Sequence, residues 1–242
     1  MSYKISTLLA AGLTLAAAPL PVLAVGPGLN FGVDESVVPA INHIINPVDS
    51  IDFSYQDCTQ IQGNSLSENG YFYASSFREE DDVLESQINY VAANGYKIYA
   101  KYNYGASLVG TQNTPSGQRN TYTVNANGGS FTLYLDRLQD TQLTFNNDCQ
   151  IASINTADDE VLGFSSSISI GERFESNGLA QGDFKILYDD WQFTMFGQSF
   201  FLLNAGANYA VLVFNGNITN LQGPINSNHQ PEGSGNIFWR QD

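Results

Sequence analysis

Apolar and polar residues alternate over much of this chain. In SIDFSYQD, Ile51, Phe53 and Tyr55 share one face, and Asp52 and Ser54 the other. In GYKIYAKYNYG, Tyr96, Ile98, Ala100, Tyr102 and Tyr104 face one way, and Lys97, Tyr99, Lys101 and Asn103 the other. A period of two is the signature of a half-buried strand. TYTVNANGGSFTLYLD predicts a hairpin, because Asn127, Gly128 and Gly129 tolerate the positive φ of a tight turn. TQLTFNNDCQIASI, VLGFSSSISIG, DFKILYDDWQF, NYAVLVFNGNITNLQG and the closing GNIFW predict further strands. FLLNAGAN fits a strand or a turn. One stretch departs from period two. DDVLESQINYVAANG opens on a capping aspartate, spaces Val83, Leu84, Ile88, Val91 and Ala92 for a helix, and stops at Gly95.

About ten short strands separated by Gly/Asn turns predict an all-β fold, an antiparallel β-sandwich of jelly-roll type with one short helix. No repeat, linker or shift in composition divides the chain. The reading is a leader over residues 1–24 and a single sandwich domain over 25–242. In the leader, Lys4 precedes an apolar run from Leu8 to Ala18, and Val22-Leu23-Ala24 supplies the small residues of a cleavage site. That run is too short for a stable membrane anchor. The expected location is outside the cytoplasm, extracellular or periplasmic. The VGPGLNFG segment that follows is rich in Gly and Pro and is expected to be extended and loosely held, free to add to the edge of a neighbouring copy.

The formal charge is −15, and loss of Lys4 with the leader takes it to −16. So acidic a chain is a poor partner for nucleic acid or an anionic membrane. Charged residues are only 14% of the chain, against an ordinary ~25%, so the polar surface must be largely Asn, Gln, Ser, Thr and Tyr. The two cysteines, Cys58 and Cys149, suit a disulfide in an exported chain, worth about 4 to 5 kcal/mol at most. Two free buried thiols are the alternative.

Candidate chemistry is sparse. His43 and His229 are the two histidines, and neither lies in a nucleophile motif. His43 reads as a partly buried structural residue and His229 as a loop residue. Among so many acids, pairs such as Asp136, Asp140, Asp183, Asp189 and Asp190 fit a glycosidase or simply solvated strand ends. No catalytic residue is assigned, and no cofactor is required. For calcium the best candidate is NTADDEVLG, where Asn155, Asp158, Asp159 and Glu160 offer hard oxygen ligands; a solvated acidic turn is the alternative. Trp191, Trp239, Tyr99, Tyr102 and Tyr104 could stack on sugar, although large aromatics more often fill a core. Asn217-Ile218-Thr219 fits a glycosylation sequon.

DSIDFSYQ, NGYFYASSF, GYKIYAKYN, GSFTLYLDRLQDT, GLAQGDFKILYDDWQFT, VLVFNGNITNLQGP and GSGNIFW, in that order, resemble the flocculation-associated PEP-CTERM proteins of bacteria. The resemblance implies an exported, non-catalytic protein of the biofilm matrix, linked to exopolysaccharide-dependent flocculation. It also implies a C-terminal sorting tail, but Trp239 is followed only by Arg240, Gln241 and Asp242, and Pro231-Glu232 opens no such tail. The expectation is a protein without a membrane anchor that associates with exopolysaccharide or other matrix components, possible calcium aiding. Self-association through the N-terminal arm and a glycoside-active enzyme are the alternatives.

Overall fold

The computed structural model describes residues 28–90, 95–115, 117–176, 181–219 and 228–240. The leader expected over 1–24 lies outside them. The described chain is all-β, antiparallel and sandwich-like, with one short α-helix. Its strands are β1 (Phe31–Asp34), β2 (Ile44–Val48), β3 (Ser50–Gln62), β4 (Ser65–Glu79), β5 (Asp82–Val83), β6 (Lys97–Thr114), β7 (Gly117–Val124), β8 (Ser130–Asp136), β9 (Gln142–Phe145) and β10 (Ile151–Ile154). There follow β11 (Glu160–Ser165), β12 (Ser167–Ser176), β13 (Gln181–Asp189), β14 (Gln192–Phe193), the helix α1 (Met195–Phe200), β15 (Phe201–Leu203), β16 (Val211–Ile218) and β17 (Glu232–Arg240).

The main ladder closes on itself. It runs β3-β4-β6-β7-β12-β13-β16-β17 and returns to β3, every pairing antiparallel. Closure removes the edges that an open sheet exposes. The strand β6 makes closure possible by its length. One side of it pairs with β4, from Tyr99 to Ser107; the other pairs first with β8 and then with β7.

This corrects the hairpin expected over residues 121–136. β7 and β8 do not pair with one another: both run antiparallel to β6, end to end along the same side. The turn between them keeps its predicted chemistry, with Asn127 at φ 60° and Gly129 at φ 94°. Its backbone, however, bonds elsewhere, Asn125 N–H to Gly105 and Asn127 N–H to Ile168. From that break β7 continues round the ring while β8 leads off to β11 and β14.

Period-two alternation places one face of each ring strand inside. Phe214 of β16 meets Phe53, Phe72, Tyr102, Phe131 and Phe184, with ring centroids 4.7–6.1 Å apart, so opposite walls touch through their aromatics. Gly70 makes room for this packing: a Cβ there would lie 2.1 Å from the Tyr102 ring. At one end of the ring the small sheet β15-β1-β2 and α1 close the core around Phe31, Phe200, Phe201 and Trp239, all buried. The arm expected to be loose is part of this closure. Leu29 N–H bonds the Trp239 carbonyl, and Phe31 and Gly32 pair with Leu203 and Leu202. Phe31 is 0% exposed, and its burial outweighs the flexibility that Gly and Pro suggest. Residues 25–27 lie outside the described part.

The helix expected from Asp81 onward is absent. Its backbone donors go to neighbours instead: Leu84 N–H to Phe77, Gln87 N–H to the Glu35 carboxylate, and Asn89 N–H to Tyr96. Asn89 turns the chain at φ 58°, and residues 91–94 lie outside the described part. The helix that does form, α1, is capped by Thr194, whose hydroxyl accepts from Gly197 N–H at 2.9 Å. Among the described residues no helix is long and apolar enough to cross a membrane.

The cysteines form a disulfide across 91 residues of sequence. Cys149 lies between β9 and β10, so the bond ties that hairpin to β3. Beneath the hairpin, Leu143 packs on Tyr71 and Tyr99, with Tyr73, Tyr134 and Phe145 around them. Tyr99, expected on the polar face, is therefore buried from the outside.

Replacing Phe214 by Ala should cost about 3–5 kcal/mol in a denaturant titration, whereas replacing exposed Asp148 by Asn should stay within about 0.5 kcal/mol. Replacing Cys58 and Cys149 together by Ala should cost up to about 4–5 kcal/mol. It should also speed hydrogen exchange in the β9–β10 hairpin ahead of the ring.

Candidate functional site

The acidic turn is rearranged relative to the sequence expectation. Asp158 and Asp159 do meet, but their third companion is Asp136 at the end of β8, and their carboxylates lie within 4.8 Å of one another. Each braces a turn. Asp136 accepts from Gln139 N–H at 2.6 Å and Thr141 N–H at 3.0 Å, Asp158 accepts from Leu138 N–H at 2.9 Å, and Asp159 accepts from the Tyr99 hydroxyl at 2.6 Å. Burial, and then the neighbouring Asp159 and Asp158, push the Asp136 carboxyl above its ordinary value despite its two backbone bonds. Asn155 turns its amide to the Asp140 carbonyl, while Glu160 pairs with Arg137 at 3.4 Å. Asp136, Asp158 and Asp159 are the residues that could hold a hard cation here.

The aromatic candidates are not a platform. Trp191, Trp239, Tyr99, Tyr102 and Tyr104 are all buried, Trp239 completely. Their area stabilises the core more than an exposed position would allow. Among the histidines, His43 is half-exposed and its Nδ1 lies 2.8 Å from the buried Glu35 carboxylate. His229 lies outside the named strands, as a loop residue would, but it is buried: it is 7% exposed, and it exchanges backbone hydrogen bonds with Thr59.

His229 belongs to a cluster that sequence reading missed. At the end of the ring opposite β1, the inward positions are polar: Asp57 and Thr59 on β3, Glu68 on β4, Asn120 on β7, Arg173 and Glu175 on β12. Arg173 is fully buried and organises them. Its Nε donates to Glu175 at 2.9 Å, and Nη2 to Thr59 at 3.3 Å. Nη1 contacts Glu68, donates to the Tyr104 hydroxyl at 2.6 Å, and lies 3.5 Å from Asp57. His229 Nε2 is 3.1 Å from Glu175. Burial would push the Glu175 carboxyl up, but Arg173 and His229 outweigh it and hold the group below its ordinary value. Alternation carried the signal, since Asp57 and Thr59 continue the Ile51-Phe53-Tyr55 face. Full burial and mutual pairing make this group a brace of the ring.

The outer wall carries a different feature, a cleft of about 830 Å³ across β13, β16, β17 and β3. Strand register explains its lining. Lys185, Asn215, Asn236 and Asp52 are successive cross-strand partners, and so are Asp183, Asn217 and Ser234. Between the rows run Gly216 and Gly235, which present no side chain. Asp52 is tied to Arg78 and accepts from Ser76 at 3.3 Å. Asn217 Oδ1 accepts from Ser234 N–H and Oγ–H at 3.2 and 3.1 Å. Burial, partly offset by Arg119, raises the Asp183 carboxyl, and burial lowers the Lys185 ammonium. The result is a strip of amides, hydroxyls and two signs of charge on rigid strands.

Replacing Arg173 by Met leaves three buried carboxylates without their counter-ion. It should cost about 3–5 kcal/mol in denaturant unfolding, and more than Arg78→Met at the surface.

Against known proteins, no family model, no curated sequence and no solved structure matches this chain.

Proposed function

We propose that this protein is an exported, non-catalytic component of an extracellular matrix that associates with polysaccharide through the outer-wall cleft. The observation that carries the reading is the double row of cross-strand amides, hydroxyls and carboxylates in that cleft. Sugar hydroxyls each donate and accept, and Asn side chains answer both roles. Neighbouring side chains along a row repeat at about 4.8 Å, set by the strand spacing, so the strip suits an extended polymer. The residues stand on strands of a closed ring, which holds them ready at little entropic cost. A disulfide suits an oxidising compartment. The likeness of the strand segments to flocculation-associated PEP-CTERM proteins points the same way.

The charge of −15 sets the choice of polymer. A neutral chain needs no help from ions, whereas a polyanion is repelled unless divalent cations bridge the two. Calcium enters the reading only in that second case, with Asp136, Asp158 and Asp159, whose carboxylates lie within 4.8 Å of one another, as its ligands.

Affinity electrophoresis through gels cast with neutral or anionic polysaccharides tests this. Retardation by at least one polymer is expected, and the Asn215→Ala, Asn236→Ala double variant should weaken it about tenfold or more, from two lost hydrogen bonds. A chelator should leave retardation by a neutral polymer intact and abolish it for a polyanion. Equal retardation of wild type and double variant would remove the cleft from the account.

A further inference from the structure

The Arg173 cluster does not balance as it stands. Asp57, Glu68 and Glu175 bring three negative charges against the one guanidinium, in a site that water does not reach. The imbalance is concentrated on one pair. Glu175 receives two bonds from Arg173 and one contact from His229, all on Oε1, and its Oε2 alone receives no hydrogen bond. Asp57 is 0% exposed, yet neither of its side-chain oxygens receives a hydrogen bond, and Oε1 of the adjacent Glu68 receives none either. Arg173 has no further proton to offer, since its Nε, Nη1 and Nη2 are already directed to Glu175, Glu68, Tyr104 and Thr59. Two ionised carboxylates side by side can only accept. Orphaned and desolvated, they would each cost several kcal/mol in so closed a site, about the whole margin of stability of a domain.

We propose that Asp57 and Glu68 form a proton-binding site inside the ring, holding one proton between them so that one carboxylic acid donates to the other's carboxylate. The proton converts an orphaned acceptor pair into a short, charge-assisted hydrogen bond and lowers the charge of the cluster by one. Arg173 then faces one shared anion and Glu175. The remaining groups around the pair fit this assignment. Tyr55 from β3, Tyr102 and Tyr104 from β6 and Tyr188 from β13 face it as phenols that burial keeps neutral. From β7, Tyr122 faces Glu175, also kept neutral by burial. From the segment before β17, His229 directs Nε2 to Glu175. Burial first, and then Glu68, raise the Asp57 carboxyl well above the usual carboxylate range, with Arg173 opposing.

The site makes stability depend on pH with a definite sign. A carboxyl whose folded value lies above its unfolded value binds its proton more tightly when folded. The ring is therefore favoured below the unfolded value, near about 4, and loses that contribution as pH rises through the folded value. Within that window a single proton changes the folded-to-unfolded ratio by up to about tenfold per pH unit. The lowered Glu175 carboxyl works in the opposite sense, at the acid end.

Infrared difference spectroscopy and urea titrations over a pH series test the assignment on the full chain. Wild-type protein at neutral pH should show a protonated carboxylic-acid carbonyl band that Asp57→Asn removes. Asparagine can still donate to Glu68, so that variant should keep its stability at neutral pH and lose up to about tenfold per pH unit of the wild-type decline towards alkaline pH. If Asp57→Asn does not fold, Glu68→Gln offers the same donor from the other side. If neither folds, the wild-type band must fade with rising pH in step with its stability. No protonated band at neutral pH, a band that survives the substitution, or identical pH slopes for wild type and variant would overturn the proposal. None of these outcomes bears on polysaccharide retention, which reads the outer wall.

Discussion

The pairing of β4 with β6, Ser65–Tyr73 against Tyr99–Ser107, is the contact on which the rest of the structure depends. It converts a run of antiparallel strands into a closed ladder. An open sheet could leave one face in water along its whole length, but a closed one cannot. Every inward side chain must then be apolar or find a polar partner inside. Over most of the ring the first solution is used, with Phe214 at the centre of the aromatic contacts. At one end the second is used, with Arg173 at the centre of the ionic ones. The same strands carry both, which is why Ile51, Phe53 and Tyr55 run directly into Asp57 and Thr59.

The two ends differ in how much tolerance they have. The apolar end is closed by β1, β2, β15 and α1, where Phe31 and Phe201 pack edge-to-face on Trp239. Its energy is area and contact, which degrade gradually as atoms are removed. The polar end is closed by charge pairing, which is worth little compared with an apolar replacement and much once a single partner is lost. Glu35 shows a third way of burying a charge. Its carboxylate accepts from Ser86, Gln87 N–H and the Tyr96 hydroxyl on one oxygen and lies against His43 with the other, so both oxygens are partnered. That carboxylate also draws the 82–90 segment out of the helix its spacing suggests.

Function, on this reading, sits on the outside of the ring because the inside is spoken for. The aromatic candidates for sugar stacking are consumed by the core or, for Tyr99, by the hairpin that the disulfide holds down. The cleft that remains on the outer wall is lined mainly by polar groups in a regular array. Cross-strand register sorts it into rows, and the glycines at positions 216 and 235 keep the floor low. A surface built this way recognises by hydrogen bonding and not by stacking.

Sequence by itself determined many of the strands and their inward faces, though not β1, β2 or β4, and it determined the cysteine pair, because each follows from a period or a count local to the chain. The positive φ at Asn127 and Gly129 was equally local, and so was the turn. Partners were not. Nothing near β7 says that it abandons β8 for the far half of β6, and nothing near Asp158 says that Asp136 lies beside it. Arg173 follows Asp57 by more than a hundred residues, and only ring closure brings them to 3.5 Å. The tertiary structure alone decided which buried charges meet, which aromatics are covered from outside and that Phe31 and Gly32 at the N-terminal side are core. Burial and pairing are properties of the enclosed volume, and an enclosed volume exists only once distant strands have closed it.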